Sequence, residues 1–494
     1  MTARTTPPRS LSLSLEQKLA IIQNGFPPVR IPKKITIVGA GMSGLVAGSL
    51  LKKAGHDVTI LEASERVGGR VFTLRQPFTD GHYLDAGAMR IPDYHHLTMA
   101  YIRKFKLPLN RFINHSPNDI LYINGVKSRR YLYDQQPDIL QFPVAPHEKG
   151  KTADQLVAQS IRPLQEFIQQ DLEKNLPAAI HAFDPYSMDF FLRYNSMSPP
   201  LSVGAVDSIR VLLATEGFPE LSFLEIFREL SLISPTTAFY EITGGNDQLP
   251  NAFLPELANN ILFRQQLSTI IQENEKVTLR TSSRSPAQQS LQVTSDIAII
   301  TLPFTSMQFV EVHPHHAFSY GKRKAINQLH YVSSTKIGLQ FSQRFWESDG
   351  MFGGKTVTDL PIRFAYYPSD GFGDPSGVVL ASYTWEDDTM PWDSLTEEQR
   401  ISEALDNLAT IHGSHIYDLF VTGKTHSWGQ YPWSGGAFAM FKPGQEIELT
   451  PYIASTERNI LFAGEHTSQD RGWIQGAIDS GIRVAHEVMT LFYP

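Results

Sequence analysis

The sequence contains no cysteine among its 494 residues. This absence excludes disulfide bonds, iron–sulfur clusters, zinc sites built from thiolates and a cysteine nucleophile. A chain without disulfides suits a reducing compartment, and residues 11–22 lack the long apolar core of a signal peptide. We therefore expect a cytoplasmic protein whose chemistry does not involve thiols.

Long apolar runs and excess positive charge are also lacking. No run reaches the length of a membrane helix, and the net charge of −7 disfavours a nucleic-acid partner. The 16 histidines stand in no metal-ligand frame, so no metal site is predicted. What remains is an ordinary globular composition, 41% hydrophobic and 19% charged, in a chain long enough for two or three domains.

A glycine-rich turn near the amino terminus organises the chain. The β-branched run at residues 35–38 suits a buried strand, and Gly39, Gly41 and Gly44 follow it in the spacing G-x-G-x-x-G. Gly39 permits the tight turn, Gly41 lets a pyrophosphate approach backbone N–H groups, and Gly44 lets the next helix lie close on the sheet. That helix is predicted to run to about Ala54.

An acid and two arginines complete this pattern. A second strand at 58–61 ends at Glu62, whose carboxylate can accept hydrogen bonds from both hydroxyls of an adenosine ribose. Arg66 and Arg70 flank two glycines, a combination suited to phosphate. The pattern predicts a dinucleotide site, and the alternative is a tight turn under a helix that binds nothing.

These residues resemble the FAD-binding motif of the flavin amine oxidase superfamily. Residues 244–250 and 460–485 resemble its middle and carboxy-terminal motifs. The resemblance implies an α/β protein of the GR2 type, in which a Rossmann-like FAD-binding domain joins a mixed-sheet substrate domain and an inserted helical region. The implied division is 1–32 (amino-terminal extension), 33–94, 239–325 and 446–494 (FAD-binding), 95–238 (helical) and 326–445 (substrate-binding).

The resemblance also implies which residues contact the flavin. Ala437 stands where monoamine oxidases attach flavin to cysteine, so noncovalent FAD is expected. A helix beginning near Ile474 would direct its positive end at the flavin C2=O. The implied cofactor set is Gly39, Gly41, Met42, Ser43, Gly44, Glu62, Ala63, Arg66, Gly69, Arg70, Gly87, Ala88, Met89, Arg90, Leu267, Gly464, Glu465, Gly472, Trp473 and Ile474.

Arg90 is a charge inside the otherwise small and apolar run of residues 86–92. A buried arginine needs an anionic partner, which is either a ligand or a carboxylate of the protein. The arginine-containing form of this run resembles the L-amino acid oxidases rather than the amine and polyamine oxidases. In that family the arginine holds the carboxylate of the substrate.

The same resemblance implies the other catalytic positions. Tyr383 would be the second donor to the substrate carboxylate, and Lys336 would hold a water near flavin N5. The Gly472 carbonyl would accept from the substrate amine, while Trp473 and Phe438, next to Ala437, would form pocket walls. A histidine that snake-venom enzymes take from the helical region has no counterpart that we can place.

Each of these side chains also has a structural alternative. Lys336 could be a surface lysine, Tyr383 a half-buried strand residue, and Trp473 a core residue.

The implied reaction is oxidative deamination of L-amino acids, which yields a 2-oxo acid, ammonia and hydrogen peroxide. Its partners would be the amino acid, O2 and a second copy of the chain in a homodimer. The alternatives are an amine or polyamine oxidase, a decarboxylating flavin monooxygenase, and a flavoprotein scaffold without turnover.

Periodicity adds coarser predictions. Helices are predicted at 164–176, 206–232, 397–412 and near 11–22, with a further helix capped at Asn246 or Asp247. A run of strands at 261–271, 276–280, 291–293 and 297–302 is predicted to return to the first sheet, followed by an alternating strand at 331–341.

Overall fold

Five parallel strands form the sheet that carries the glycine-rich turn. Their order across the sheet is Ile261–Leu262, Asp57–Leu61, Lys34–Val38, Ile297–Ile300 and Ile460–Phe462. The structure is a computed structural model, and it describes residues 13–213, 219–232, 237–282 and 290–491. The sheet is buried on both faces, as continuous β-branched runs predict. Helices Met42–Lys53 and Ile474–Leu491 pack on one face, and a second sheet packs on the other.

That second sheet corrects one prediction. The stretch 261–271 is not one strand, because the chain turns at Arg264, where φ is +60°. Its first part stays in the parallel sheet, whereas Gln266–Glu273 pairs with Lys276–Ser282 and Glu311–His313, and Gln292–Ser295 completes a separate four-stranded sheet. Of the predicted run, the first and last segments return to the first sheet.

A seven-stranded mixed sheet forms the other half of the molecule. Its order is Phe420–Ser427, Ser334–Phe341, Gly377–Trp385, Phe364–Tyr366, Lys355–Thr358, Ile120–Ile123 and Val126–Arg129. The strand predicted at 331–341 is present as Ser334–Phe341, but all eight of its residues are buried, so the predicted alternation does not correspond to one buried and one exposed face. Leu84 covers one face at Gly338, and Glu397–His412, a helix predicted with these bounds, lies against the other.

Smaller sheets connect these two. Ile91–Pro92, Phe239–Ile242 and Leu109–Phe112 form one with three strands. The two-stranded sheets are Thr73–Leu74 with Leu84–Asp85, and Tyr331–Val332 with Phe438–Ala439.

The helical region differs from its prediction at two points. Asp171 ends helix Ala153–Gln170 and caps Leu172–Phe183, so a helix at 164–176 does not exist as one element. The predicted helix 206–232 is divided into Val203–Leu212 and Phe223–Leu232, and residues 214–218 between them lie outside the described residues. Polar residues that favour caps over helix interiors explain the first break.

The amino-terminal helix is confirmed as Leu15–Asn24, and Ile22 is buried against the body. Residues 1–12 of the predicted extension lie outside the described residues. The helix after Gly245 begins at Gln248 next to Asp247, while Asn246 instead accepts a hydrogen bond from the Ile242 N–H.

The remaining α-helices are short or connect the sheets. They are His96–Lys104, Arg130–Gln135, Met188–Tyr194, Gln248–Asn251, Leu254–Leu257, Phe304–Met307, Tyr320–Gln328, Phe345–Ser348, Met390–Asp393, Ile416–Leu419 and Gln445–Ile453. Single 3₁₀ turns lie at Pro137–Leu140, Ala258–Asn260, His315–Ala317, Glu386–Thr389 and Glu465–Thr467. Within the described ranges, no helix is long and apolar enough to cross a bilayer.

The strands of the parallel sheet come from the three segments predicted to bind FAD, 33–94, 239–325 and 446–494. The seven-stranded sheet takes strands from both 95–238 and 326–445. The boundary at 325/326 thus separates the sheets, whereas the predicted helical region contributes two strands to the substrate side.

Candidate active site

The carboxyl ends of the parallel strands meet at one edge of the sheet, which is where ligands bind in such folds. Gly39 follows one strand, Glu62 the next, Thr301 the third and Gly464 the fourth. The Thr301 hydroxyl donates to the Val38 carbonyl at 2.8 Å and so ties two of these ends together. All four residues line one large cavity.

The glycines of the turn have two different environments. A Cβ on Gly44 would lie 2.0 Å from the Gly39 carbonyl oxygen, so that position tolerates no side chain. A Cβ on Gly41 would meet no protein atom within 4 Å, because it would point into open space. Gly44 therefore serves helix packing, and Gly41 leaves room for a ligand.

The Glu62 carboxylate is held in place by the turn itself. It accepts hydrogen bonds from the N–H groups of Ala40 and Ser64, each at 2.8 Å. This fixes the acid beside the helix amino terminus at Gly41, in the cavity wall.

The two arginines after Glu62 have different roles. Arg70 pairs with Glu465 at 2.7 Å and also donates to the Ala437 carbonyl, which joins three distant segments. Arg66 donates to the carbonyls of Gly69 and Val67 and stacks 3.9 Å from the Phe72 ring centroid. Arg70 lines the cavity and Arg66 does not, so the structure gives Arg66 a role in shaping its own loop.

Glu465 closes the site from the other side. Besides Arg70, its carboxylate accepts from the backbone N–H groups of Ala439 and Gly472, at 3.2 and 2.9 Å. This positions Gly472, whose φ is +78°, just before helix Ile474–Leu491 begins. The amino terminus of that helix faces the cavity, together with Trp473.

Lys336 holds the segment before Arg90. Its Nζ donates to the carbonyls of Asp85 and Gly87, at 3.0 and 2.7 Å, and Trp428 donates to the carbonyl between them at 2.9 Å. Lys336 is 1% exposed, so the surface alternative was wrong. Burial lowers the pKa of Lys336 to about 7, although Asp85 acts to raise it.

Arg90 lies in the cavity wall with neutral partners only. Its Nη1 donates to Asn114 and, at 3.3 Å, to the Tyr366 hydroxyl, and within the described residues its other nitrogens have no protein partner. No carboxylate of the described residues pairs with it, which removes the structural ion pair proposed as the alternative. Burial alone would lower the pKa of Arg90, but Tyr366 and Tyr383 hold it above its usual value.

The helical region contributes Glu229. Its Oε1 accepts from the Trp473 indole N–H at 3.0 Å, and it lines the same cavity as Arg90. Burial raises the pKa of Glu229 to about 7, against the effect of the Trp473 hydrogen bond. Trp473 also contacts the His95 ring edge to face, with the ring centroids 4.9 Å apart.

The cavity has a volume of about 1170 Å³, more than a drug-sized ligand requires. Of the residues predicted to bind cofactor or substrate, Gly44 and Arg66 do not line it. The others do: Gly39, Gly41, Met42, Ser43, Glu62, Ala63, Gly69, Arg70, Gly87, Ala88, Met89, Arg90, Leu267, Lys336, Tyr383, Ala437, Phe438, Gly464, Glu465, Gly472, Trp473 and Ile474.

Sequence reasoning missed three side chains around Arg90: Asn114, Tyr366 and Glu229. The first two follow or occupy strands whose pairing the sequence does not specify. Glu229 lies on Phe223–Leu232, where Glu225, Arg228 and Glu229 look like an ordinary solvated face. No signal in the sequence distinguishes Glu229 from these two charged neighbours.

The fold and the site together are typical of an enzyme with a cofactor-binding parallel sheet and a large cavity between that sheet and a second one. Comparison with known proteins makes this more specific. The family model for flavin containing amine oxidoreductases matches residues 42–489. The chain belongs to this family, and its cofactor is a flavin.

Two relatives align over nearly the whole chain. YobN of Bacillus subtilis (strain 168), provisionally named an L-amino-acid oxidase, is 49% identical over 97% of this chain and 99% of its own. The L-amino-acid oxidase of Pseudechis australis is 37% identical over 96% of this chain and 90% of its own.

Solved structures confirm the fold. The cyclohexylamine oxidase of Brevibacterium oxydans superposes with a TM-score of 0.74 at 18% identity, covering 94% of this chain and all of that one. Putrescine oxidase bound to putrescine gives a TM-score of 0.69, also at 18% identity, covering 93% of this chain and 99% of that one. These likenesses support the mixed α/β architecture expected for the superfamily.

Proposed function

We propose that this protein is an L-amino-acid oxidase that uses noncovalently bound FAD. The observation that carries the proposal is Arg90, a cation in a largely apolar cavity wall whose Nη1 alone has partners in the described part of the chain. The edge formed by Nη2 and Nε is left for a planar anion, and a carboxylate fits that fork. A simple amine offers no group for it.

The residues present fit a flavin dinucleotide. Gly41 leaves open space at a helix amino terminus, Glu62 is fixed nearby, and the helix beginning at Ile474 presents a second amino terminus to the cavity. The absence of cysteine excludes a thioether link through position 437. When bound, the flavin supplies a two-electron acceptor that oxygen can reoxidise.

The chain's own residues then position the substrate. Arg90 holds its carboxylate, and the Tyr383 hydroxyl, in the same wall, donates to the second oxygen. In its ammonium form Lys336 uses two of its three donors on backbone carbonyls, which leaves one for a water. Catalysis is largely orientation, and it turns an L-amino acid, O2 and water into a 2-oxo acid, ammonia and hydrogen peroxide.

The test is anaerobic mixing of the purified yellow protein with each of the twenty L-amino acids and their D-forms. Bleaching of the flavin by L-forms, followed by peroxide release when air enters, supports the proposal. Preference for a primary amine over the matching amino acid would favour an amine oxidase, and carbon dioxide without peroxide would favour a monooxygenase. Acid precipitation should leave the FAD in the supernatant, and light scattering should show a homodimer.

The aromatic walls Phe438 and Trp473 support a preference for large side chains. The same panel of amino acids tests this, because small substrates such as alanine should then bleach the flavin slowest.

A further inference from the structure

Glu225 and Glu229 lie one turn apart on helix Phe223–Leu232 but have opposite environments. Glu225 is neutralised by Arg228 and Arg471, at 3.2 and 3.0 Å. Glu229 has no cationic side chain within 4 Å among the described residues, and its Oε2 has no hydrogen-bond partner there. An acid without an ion-pair partner in a cavity wall calls for an explanation, because a buried charge that is not paired is costly.

The cavity therefore carries two charges that the described protein does not pair. Arg90 has neutral partners, and Glu229 has only the Trp473 indole. An α-amino acid is a zwitterion with one carboxylate and one ammonium group. The two unpaired groups are its electrostatic complement.

We propose that Glu229 binds the α-ammonium group of the substrate and accepts the proton that this group must lose before oxidation. The inference rests on the proposed function. In this step one ammonium N–H bond breaks, an O–H bond forms on Glu229, and the electron pair stays on nitrogen. No oxidant or further reactant is consumed, and the Cα–H bond is left for the flavin-dependent step.

The neighbourhood of Glu229 suits a proton acceptor. The charged and titratable groups that face it are Glu225 on its own helix, Asp470, Arg90 and Tyr94. Burial, together with Glu225 and Asp470, raises the pKa of Glu229, and Arg90 and Trp473 lower it, which leaves it at about 7. A base is most effective when its pKa lies near the working pH.

The decisive variant is Glu229→Gln, which keeps an acceptor for the Trp473 N–H but removes charge and basicity. We expect flavin reduction by L-amino acids to slow about 100-fold, in the range for loss of a general base. The wild-type rate should fall as the pH drops below about 7, and this acidic limb should disappear in the variant. Glu229→Asp should recover part of the rate.

Binding of a carboxylate ligand that has no amine distinguishes the proposed role from a structural one. Loss of a structural contact would weaken this binding, whereas loss of an ammonium-binding group would not. Benzoate, followed by the change in flavin absorbance, should bind Glu229→Gln as well as or better than wild type, because a repelling carboxylate is gone. The matched control is Glu166→Gln, an exposed acid of the helical region that does not line the cavity, and it should behave as wild type.

Three results would overturn the proposal. The first is an unchanged rate and acidic limb in Glu229→Gln. The second is a defect confined to lysine and arginine and absent for leucine, since Glu229 would then contact the side chain. The third is weaker benzoate binding together with loss of flavin, which would indicate a structural role. Failure of the proposed function itself is distinguishable, because wild-type flavin would then not be bleached by any L-amino acid.

Discussion

The two halves of the cavity are built by different means. On the cofactor side, one local stretch from Gly39 to Arg70 supplies the turn, the acid and the arginine, and the turn itself holds Glu62 in place. The substrate side is built from four segments that are far apart in the sequence. They supply Arg90, Lys336, Tyr383 and Glu229, which come together only in the folded protein. The glycine-rich motif predicted the cofactor side from local residues alone, whereas on the substrate side the sequence predicted Arg90, Lys336 and Tyr383 only through resemblance and missed Glu229.

Substitution of Gly41 and Gly44, on the cofactor side, should give the largest effects. Gly44→Ala places a Cβ 2.0 Å from the Gly39 carbonyl, so it should destabilise the fold by roughly 2–3 kcal/mol and abolish flavin binding. Gly41→Ala meets no protein atom, so its melting temperature without flavin should equal that of wild type while flavin affinity drops at least roughly tenfold. Flavin absorbance per protein and thermal melting measure both; equal behaviour of the two variants would contradict the assignment.

Arg90→Leu tests the substrate side. We expect kcat/KM for the best L-amino acid to fall about 10²–10³-fold, because a buried fork contact to a carboxylate is worth roughly 3–4 kcal/mol. Flavin content should be unchanged. Arg90→Lys should also be poor, since an ammonium cannot make the fork.

Arg111→Leu is the matched control for Arg90, because Arg111 is exposed and does not line the cavity. It should keep wild-type kcat/KM. An Arg90→Leu enzyme as active as this control would end the carboxylate assignment.

Arg66 distinguishes loop shaping from phosphate binding. Its donors are used on backbone carbonyls, so Arg66→Lys and Arg66→Gln should both raise the flavin Kd about tenfold. Titration of flavin into the apoprotein measures this. Wild-type affinity in the lysine variant alone would show instead that charge, and hence a phosphate contact, is what matters.

Glu241 gives the smallest effect and involves no ligand. It lines a second cavity of about 150 Å³ beside Asp85 and Tyr366, and burial raises its pKa to about 8. The folded protein thus keeps the proton between about pH 4.5 and 8 while the unfolded chain loses it, so this group's contribution to stability falls as pH rises.

Glu241→Gln removes that pH dependence. The melting temperature of the variant relative to wild type should therefore increase by about 1–3 °C from pH 5.5 to pH 8, which corresponds to roughly 1–2 kcal/mol. Differential scanning at the two values measures it. A constant difference would mean that Glu241 does not hold its proton in the folded state.

Prediction from sequence succeeded in proportion to how local each feature is. The first two strands, the helix between them and the position of Glu62 depend on contacts within about 30 residues, and they lie within one or two residues of their predicted bounds. The prediction of one helix at 164–176 was wrong because Asp171 ends one helix and caps the next. The spacing of apolar residues continues across this break, so periodicity does not reveal it. The strand predicted at 331–341 exists as Ser334–Phe341, but its alternating sequence did not predict burial of both faces, because alternation gives exposure only if one face meets water.

The sequence by itself determined the glycine turn and its acid, because backbone conformation and a single buried strand pair leave adjacent residues little freedom. The lack of cysteine in the sequence also excludes a thioether link between the protein and its flavin. Only the tertiary structure decided that Arg90 has neutral neighbours and that Glu229 faces the cavity. The burial of a side chain and the charges around it depend on elements that are hundreds of residues apart in the sequence. Because these two factors shift a pKa, the sequence alone does not reveal the shift.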